Sequence, residues 1–144
     1  MAVGSCFCGK IRVEHNGQPI TSAICHCLDC RKITGSLYSC NILVKTAELQ
    51  ISGSPKELSK TSDSGNSIKN YFCPDCGTPL FGRKIESNGE PNEVTVVRAG
   101  IFDDLEILNE QKPQVEIYAE RRVKWVCPIE GAAQVDGMLP VPSA

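Results

Sequence analysis

Three cysteine clusters, spaced far apart along the chain, constrain this sequence more than any other feature. They read Cys6-Phe7-Cys8-Gly9, Cys25-His26-Cys27-Leu28-Asp29-Cys30 and Cys73-Pro74-Asp75-Cys76-Gly77. C-x-x-C spacing lets two thiolates take adjacent corners of a tetrahedron, and in an extended C-x-C both side chains point to one face. Gly9 and Gly77 then permit the tight turns that follow. Nine cysteines is an odd count, and the crowded spacing favours metal over disulfides in a reducing compartment. The expected location is therefore cytoplasmic.

The spacing supports a division into four and three. Cys6, Cys8, Cys73 and Cys76 can enclose one Zn²⁺ and tie the amino-terminal strand to a later hairpin, as a structural site whose binding energy is folding energy. Cys25, Cys27 and Cys30 then form a three-ligand centre with a fourth position open, which is the form of a catalytic zinc site. The competing partition is a zinc ribbon of Cys27, Cys30, Cys73 and Cys76; its central spacing is far longer than the usual ribbon's. His15, an acidic side chain or water could also complete the three-cysteine site. His26 points away from Cys25 and Cys27 in an extended segment, so its ring is expected to hydrogen-bond behind the ligands or simply to pack. Arg31 and Lys32 follow Cys30 and could attract an anionic thiol, or form a solvated helix face.

Three thiolates leave a zinc centre with a net charge of about −1. That charge weakens the metal as a Lewis acid for water. It suits holding an incoming thiol as thiolate and presenting it to a carbon electrophile. No other chemistry competes: neither histidine accompanies a nucleophile motif, and no glycine-rich loop would cradle phosphate. Asp103 and Asp104 are expected to cap a helical turn. Cys40 and Cys127 stand alone and are expected to be core residues.

The rest of the chain reads as one mainly β domain, residues 1–144, with its core over about 4–126 and a partly irregular segment at 127–144. Strands are expected at 10–15, 36–44, 48–52, 68–72, 79–85 and 93–100, with weaker ones at 115–120 and 122–126. Breakers at 52–55, 62–67 and 87–92 separate them. Two short helical turns are expected, at 28–34 and 103–108. A formal charge of −2, without a basic tail, points to neither nucleic acid nor an anionic membrane surface. No apolar run is long enough to span a bilayer.

The motifs GSCFCGKIRVE, CHCLDCRKITGS, FCPDCGTPLF and AGIFDD, with the late Trp125, resemble in their order the glutathione-dependent formaldehyde-activating enzymes, a family that includes the centromere protein V group. The later stretch IEGAAQVDGM resembles a fungal branch. The resemblance implies a β-tent fold of antiparallel sheets pinned by two zinc ions per chain. Cys6, Cys8, Cys73 and Cys76 match the family's structural ligands, and Cys25, Cys27 and Cys30 match its catalytic-type site. The implied activity is a carbon–sulfur lyase reaction joining the thiol of glutathione to formaldehyde, with His26 or Arg31 orienting substrate or assisting proton movement. Near 115–116, where relatives often carry histidine, this chain has Val115 and Glu116. A non-catalytic zinc scaffold, or a redox-responsive cluster at Cys25, Cys27 and Cys30, are the alternative functions.

Overall fold

The structure is a computed structural model and describes residues 1–62 and 65–139. It is mainly β. A small antiparallel sheet has the order β1-β2-β5, formed by Ala2–Ser5, Arg12–His15 and Leu49–Ser52. The large sheet contains β3 (Thr21–Cys25), β4 (Ser39–Lys45), β6 (Lys56–Thr61), β7 (Ser67–Phe72), β8 (Pro79–Ile85), β9 (Pro91–Arg98), β10 (Val115–Ile117) and β11 (Ala133–Gln134). Its order is β11-β10-β3-β4-β9-β8-β7-β6. The pairing is antiparallel except at one edge, where β10 runs parallel to both β3 and β11. Both expected helical turns form, as α1 (Leu28–Thr34) and α2 (Leu105–Glu110). Asp104 caps α2, its carboxylate accepting from the Glu106 N–H at 3.0 Å.

Alternation along the strands gives the large sheet two different faces. One face packs on the small sheet. Ile42, Val44, Val97, Leu80 and Phe81 meet Ile11 and Val13 there in the main core. Gly4 of β1 fits against this core because a Cβ there would lie 2.4 Å from the Ile101 carbonyl oxygen. The other face carries a second cluster around Ala23, Cys25, Cys27, Val115 and Ile117. Here α1 follows β3 directly, so the 25–30 motif sits at a strand end and a helix start.

Four strands went unforeseen, each for a physical reason; β11 is only two residues long. β1 is only four residues long. β3 is buried and shows no alternation that periodicity can detect. β6, Lys-Glu-Leu-Ser-Lys-Thr, is exposed throughout and polar because it is the edge of the sheet. Two expectations are corrected. Residues 122–126 form turns rather than a strand, with Trp125 75% exposed. Cys127 follows them on the surface and is exposed, whereas Cys40 packs partly buried against the main core. The segment from 127 to 139 is irregular apart from β11, and residues 140–144, like 63 and 64 of the 62–67 breaker, lie outside the described part.

Candidate metal centres

The first centre is made from two turns that mirror each other. In one, Gly9 donates its N–H to the Cys6 carbonyl at 3.0 Å; in the other, Gly77 donates to the Cys73 carbonyl at 2.8 Å. Both glycines have positive φ, 79° and 76°, which a side-chain-bearing residue adopts only under strain. The turns face each other across the fold. Phe7 N–H donates to Thr78 Oγ1 at 3.0 Å, and Lys10 pairs with Asp75 at 2.8 Å on the surface. Cys6 Sγ lies 3.6 Å from Cys8 Sγ, and Cys8 Sγ lies 3.7 Å from Cys73 Sγ. Four sulfurs each about 2.3 Å from a tetrahedral ion stand about 3.8 Å apart. The donor set therefore fits zinc. N–H groups point at sulfur as they would at thiolate, with Ile11 N–H donating to Cys6 Sγ at 3.3 Å. The Thr78 hydroxyl, 3.1 Å from Cys76 Sγ, leads the interactions that bring the Cys76 thiol down to about 5.

The second centre is formed by Cys25, Cys27 and Cys30, whose sulfurs lie within 4.8 Å of one another. Cys25 ends β3. Cys27 is the N-cap of α1, and its sulfur accepts from the Cys30 N–H at 3.3 Å. Cys30 lies in the first turn of α1. Crowded thiols like these cannot all ionise without a cation among them. The Cys25 and Cys27 thiols draw Cys30 down to about 3, aided by the Ser39 hydroxyl and the charge of Arg98. Cys27 and Cys30, with burial, push the Cys25 thiol upward. A divalent ion relieves this competition, so this donor set also fits zinc.

The expected four-and-three grouping is thus the one brought together in space; the ribbon partition is not. Among the described residues no further histidine or carboxylate joins the three-cysteine group. His15 sits on β2, 3.3 Å from Glu48 Oε2. His26 turns away from the cysteines, is 1% exposed, and donates from Nε2 to Glu116 Oε1 at 2.8 Å. Its ring also tilts against Tyr38, with centroids 5.5 Å apart. Arg31 is half-buried with its Nε enclosed and without a hydrogen-bond partner, while Lys32 is exposed.

Sequence reasoning missed the importance of Glu116 in its own right. This carboxylate is 1% exposed in the middle of β10. Its Oε2 accepts from Ile129 N–H at 2.9 Å and from Gln134 Nε2 at 2.7 Å, with Arg122 Nη2 at 3.4 Å. Burial opposes its ionisation, but the bonds from Gln134, His26 and Ile129 and the charge of Arg122 outweigh it, pulling the carboxyl down to about 2. The available signal was a charged residue inside the short apolar run Val115-Glu116-Ile117. Glu116 joins His26, between Cys25 and Cys27, to the β10–β11 edge. Glu116→Gln is expected to lower stability at pH 7 by about 2 kcal/mol, because a charged acceptor shared by several donors is lost. In thermal unfolding of the zinc-loaded protein this is a fall of about 5 °C in Tm; an unchanged Tm would show that the edge does not depend on the charge.

Residues 1–121 match the family described as glutathione-dependent formaldehyde-activating enzyme. Curated relatives named as candidate enzymes of that kind include one from Aspergillus flavus, 32% identical over 80 residues, covering 54% of this chain and 41% of the relative. One from Penicillium rubens is 35% identical over 80 residues, with the same coverage of 54% and 41%. The chain therefore spans less than half the length of these relatives. The crystal structure of a Rhodobacter sphaeroides protein shares the fold, with a TM-score of 0.56 at 17% identity over 77% of this chain and 96% of that one. With most of its length matched, and both cysteine groupings assembled inside the matched region, the chain belongs to the glutathione-dependent formaldehyde-activating enzyme family.

Proposed function

We propose that the chain joins a thiol, glutathione or a close relative, to a small aldehyde of which formaldehyde is the type, acting as a carbon–sulfur lyase in the reverse sense. The observation that carries this reading is the contrast between the two cysteine groups. One offers four sulfurs and a complete tetrahedron; the other offers three, with no further metal-binding side chain grouped with it among the described residues. Cys6, Cys8, Cys73 and Cys76 would hold a structural zinc, and Cys25, Cys27 and Cys30 a catalytic one. Zinc in the second centre would supply the charge that keeps an incoming thiol ionised at neutral pH.

The chemistry is an addition without oxidation or reduction. The thiol gives up its proton, a sulfur electron pair forms the C–S bond, and the carbonyl π pair moves to oxygen. That oxygen then takes a proton, giving R–S–CH₂–OH. The chain's own residues position the participants. His26, anchored by Glu116, fixes the backbone between Cys25 and Cys27. Its burial favours this positioning role over proton exchange with a substrate. Arg31, on the helix that carries Cys30, supplies a cation close to the centre.

The test is NMR exchange spectroscopy on glutathione and formaldehyde with the zinc-loaded protein. Catalysis is expected to broaden and cross-link the glutathione and S-hydroxymethylglutathione signals beyond the uncatalysed exchange. No acceleration, with both zincs counted, would remove this substrate pair.

A further inference from the structure

A row of polar side chains crosses the sheet face that carries the three-cysteine centre. The register pairs Cys25 with Ser39, Asn41 with Arg98, and Gly82 with Asn70. Directly paired residues share a face, as do residues two apart on one strand. The row therefore runs from Cys25 through Ser39, Asn41 and Arg98 to Asn70. Asn41 Nδ2 donates to Ser39 Oγ at 2.8 Å. Arg98 Nη1 donates to Asn41 Oδ1 at 2.6 Å, and Nη2 donates to Asn70 Oδ1 at 3.1 Å. The guanidinium is thus fixed between two amides on either side of it.

Gly82 makes this arrangement possible. It lies under the row, where a Cβ would stand 2.9 Å from Asn70 Oδ1 and 3.9 Å from Arg98 Nη2. On the far side, Leu58 of β6 is paired with Asn70 and 57% exposed. Lys60, two residues further along β6, bonds Asp29 of α1, so the helix and the sheet edge are joined around this face.

The hydrogen-bond partners of Arg98 are both neutral amides. No carboxylate pairs with it among the described residues, and its Nε is buried without an acceptor. A half-buried cation hydrogen-bonded only to amides has its geometry fixed and no carboxylate of its own, and the one anionic group its charge favours is the Cys30 sulfur at the cysteine centre; such a fork suits an incoming carboxylate. Strand spacing and rise put the Arg98 backbone about 12 Å from that of Cys25. The group it receives therefore stands several bonds from the reacting sulfur.

We infer that Arg98, braced by Asn41 and Asn70 over Gly82, is the seat for a carboxylate of the thiol substrate and selects peptide-like thiols over small neutral ones. The inference rests on the thiol reading above and deepens it. Arg98 acts as a specificity-determining residue, and the sulfur is received at the cysteine centre.

The test follows backbone amide NMR of the zinc-loaded protein during separate titrations with glutathione and with 2-mercaptoethanol, a thiol with no carboxylate. In the wild type, both should shift the Cys30 amide, and glutathione alone should also shift those of Asn70 and Gly82. R98Q should raise the glutathione Kd on the order of 30-fold, the loss expected for a desolvated charge pair. It should change the 2-mercaptoethanol Kd far less, by about 3-fold at most, since Arg98 touches the cysteine centre only through its charge on Cys30. N70A, which keeps the cation and removes one brace, should weaken glutathione selectively by several-fold and guards against a folding defect in R98Q. Equal weakening of both thiols, or unchanged glutathione affinity in R98Q, would overturn the carboxylate seat while leaving thiol binding intact. If the wild type with both zincs bound neither thiol, the thiol reading itself would fall, and the seat with it.

Discussion

Cys73→Ser is expected to leave the chain unfolded at 25 °C, and removal of zinc by a strong chelator should do the same to the wild type. Cys73 is 1% exposed and lies within the main core, so its sulfur belongs to packing as well as to the donor set. The four-cysteine site joins the loop after β1 to the β7–β8 turn, contacts more than 60 residues apart in sequence. Structural zinc contributes about 10–16 kcal/mol in small peptides, comparable with the typical net stability of a whole domain, about 5–15 kcal/mol. Once loss of one of four ligands lets the ion go, the stability removed is comparable with all that the fold holds in reserve. Far-UV circular dichroism of Cys73→Ser, with excess zinc present, checks this. A spectrum and melting curve like the wild type's would mean that the hairpin holds without its metal.

Cys27→Ser should behave in the opposite way, folding normally while losing activity on glutathione and formaldehyde by well over 100-fold. Loss of groups that only support a metal ligand commonly costs 10–100-fold, and Cys27 is proposed as a ligand itself. The fold survives for a local reason. Cys27 is the N-cap of α1, with its side chain accepting from the Cys30 N–H, and serine is a good residue at that position. The second cluster keeps Val115 and Ile117 in place around it. A melting temperature within a few degrees of the wild type, together with lost exchange, is the expected pair of results. Retained activity would remove Cys27 from the proposed catalytic centre.

The cysteine groups were legible in the sequence because metal geometry demands short, fixed spacings within each pair. The fold class was legible for a similar reason: strands β2, β4, β5, β7, β8 and β9 carry the apolar positions of a mainly β chain. What lies behind the ligands was hidden. His26 meets Glu116 across 90 residues, and Arg98 meets Asn41 across 57. Such pairs follow from strand register, which a single sequence does not display. The parallel contact of β10 with β3 is set the same way, since a three-residue strand has too little pattern to declare its partner. Cys127 misled because a cysteine beside tryptophan and valine resembles core, whereas the turns at 122–126 carry Trp125 to the surface.

The division of labour between the two centres is the central claim, and counting metal tests it most directly. Native mass spectrometry or elemental analysis of folded, metal-intact protein should find two zincs per chain in the wild type and one in Cys27→Ser. A single zinc in the wild type, or loss of both ions in Cys27→Ser, would contradict the separation into a four-cysteine and a three-cysteine site.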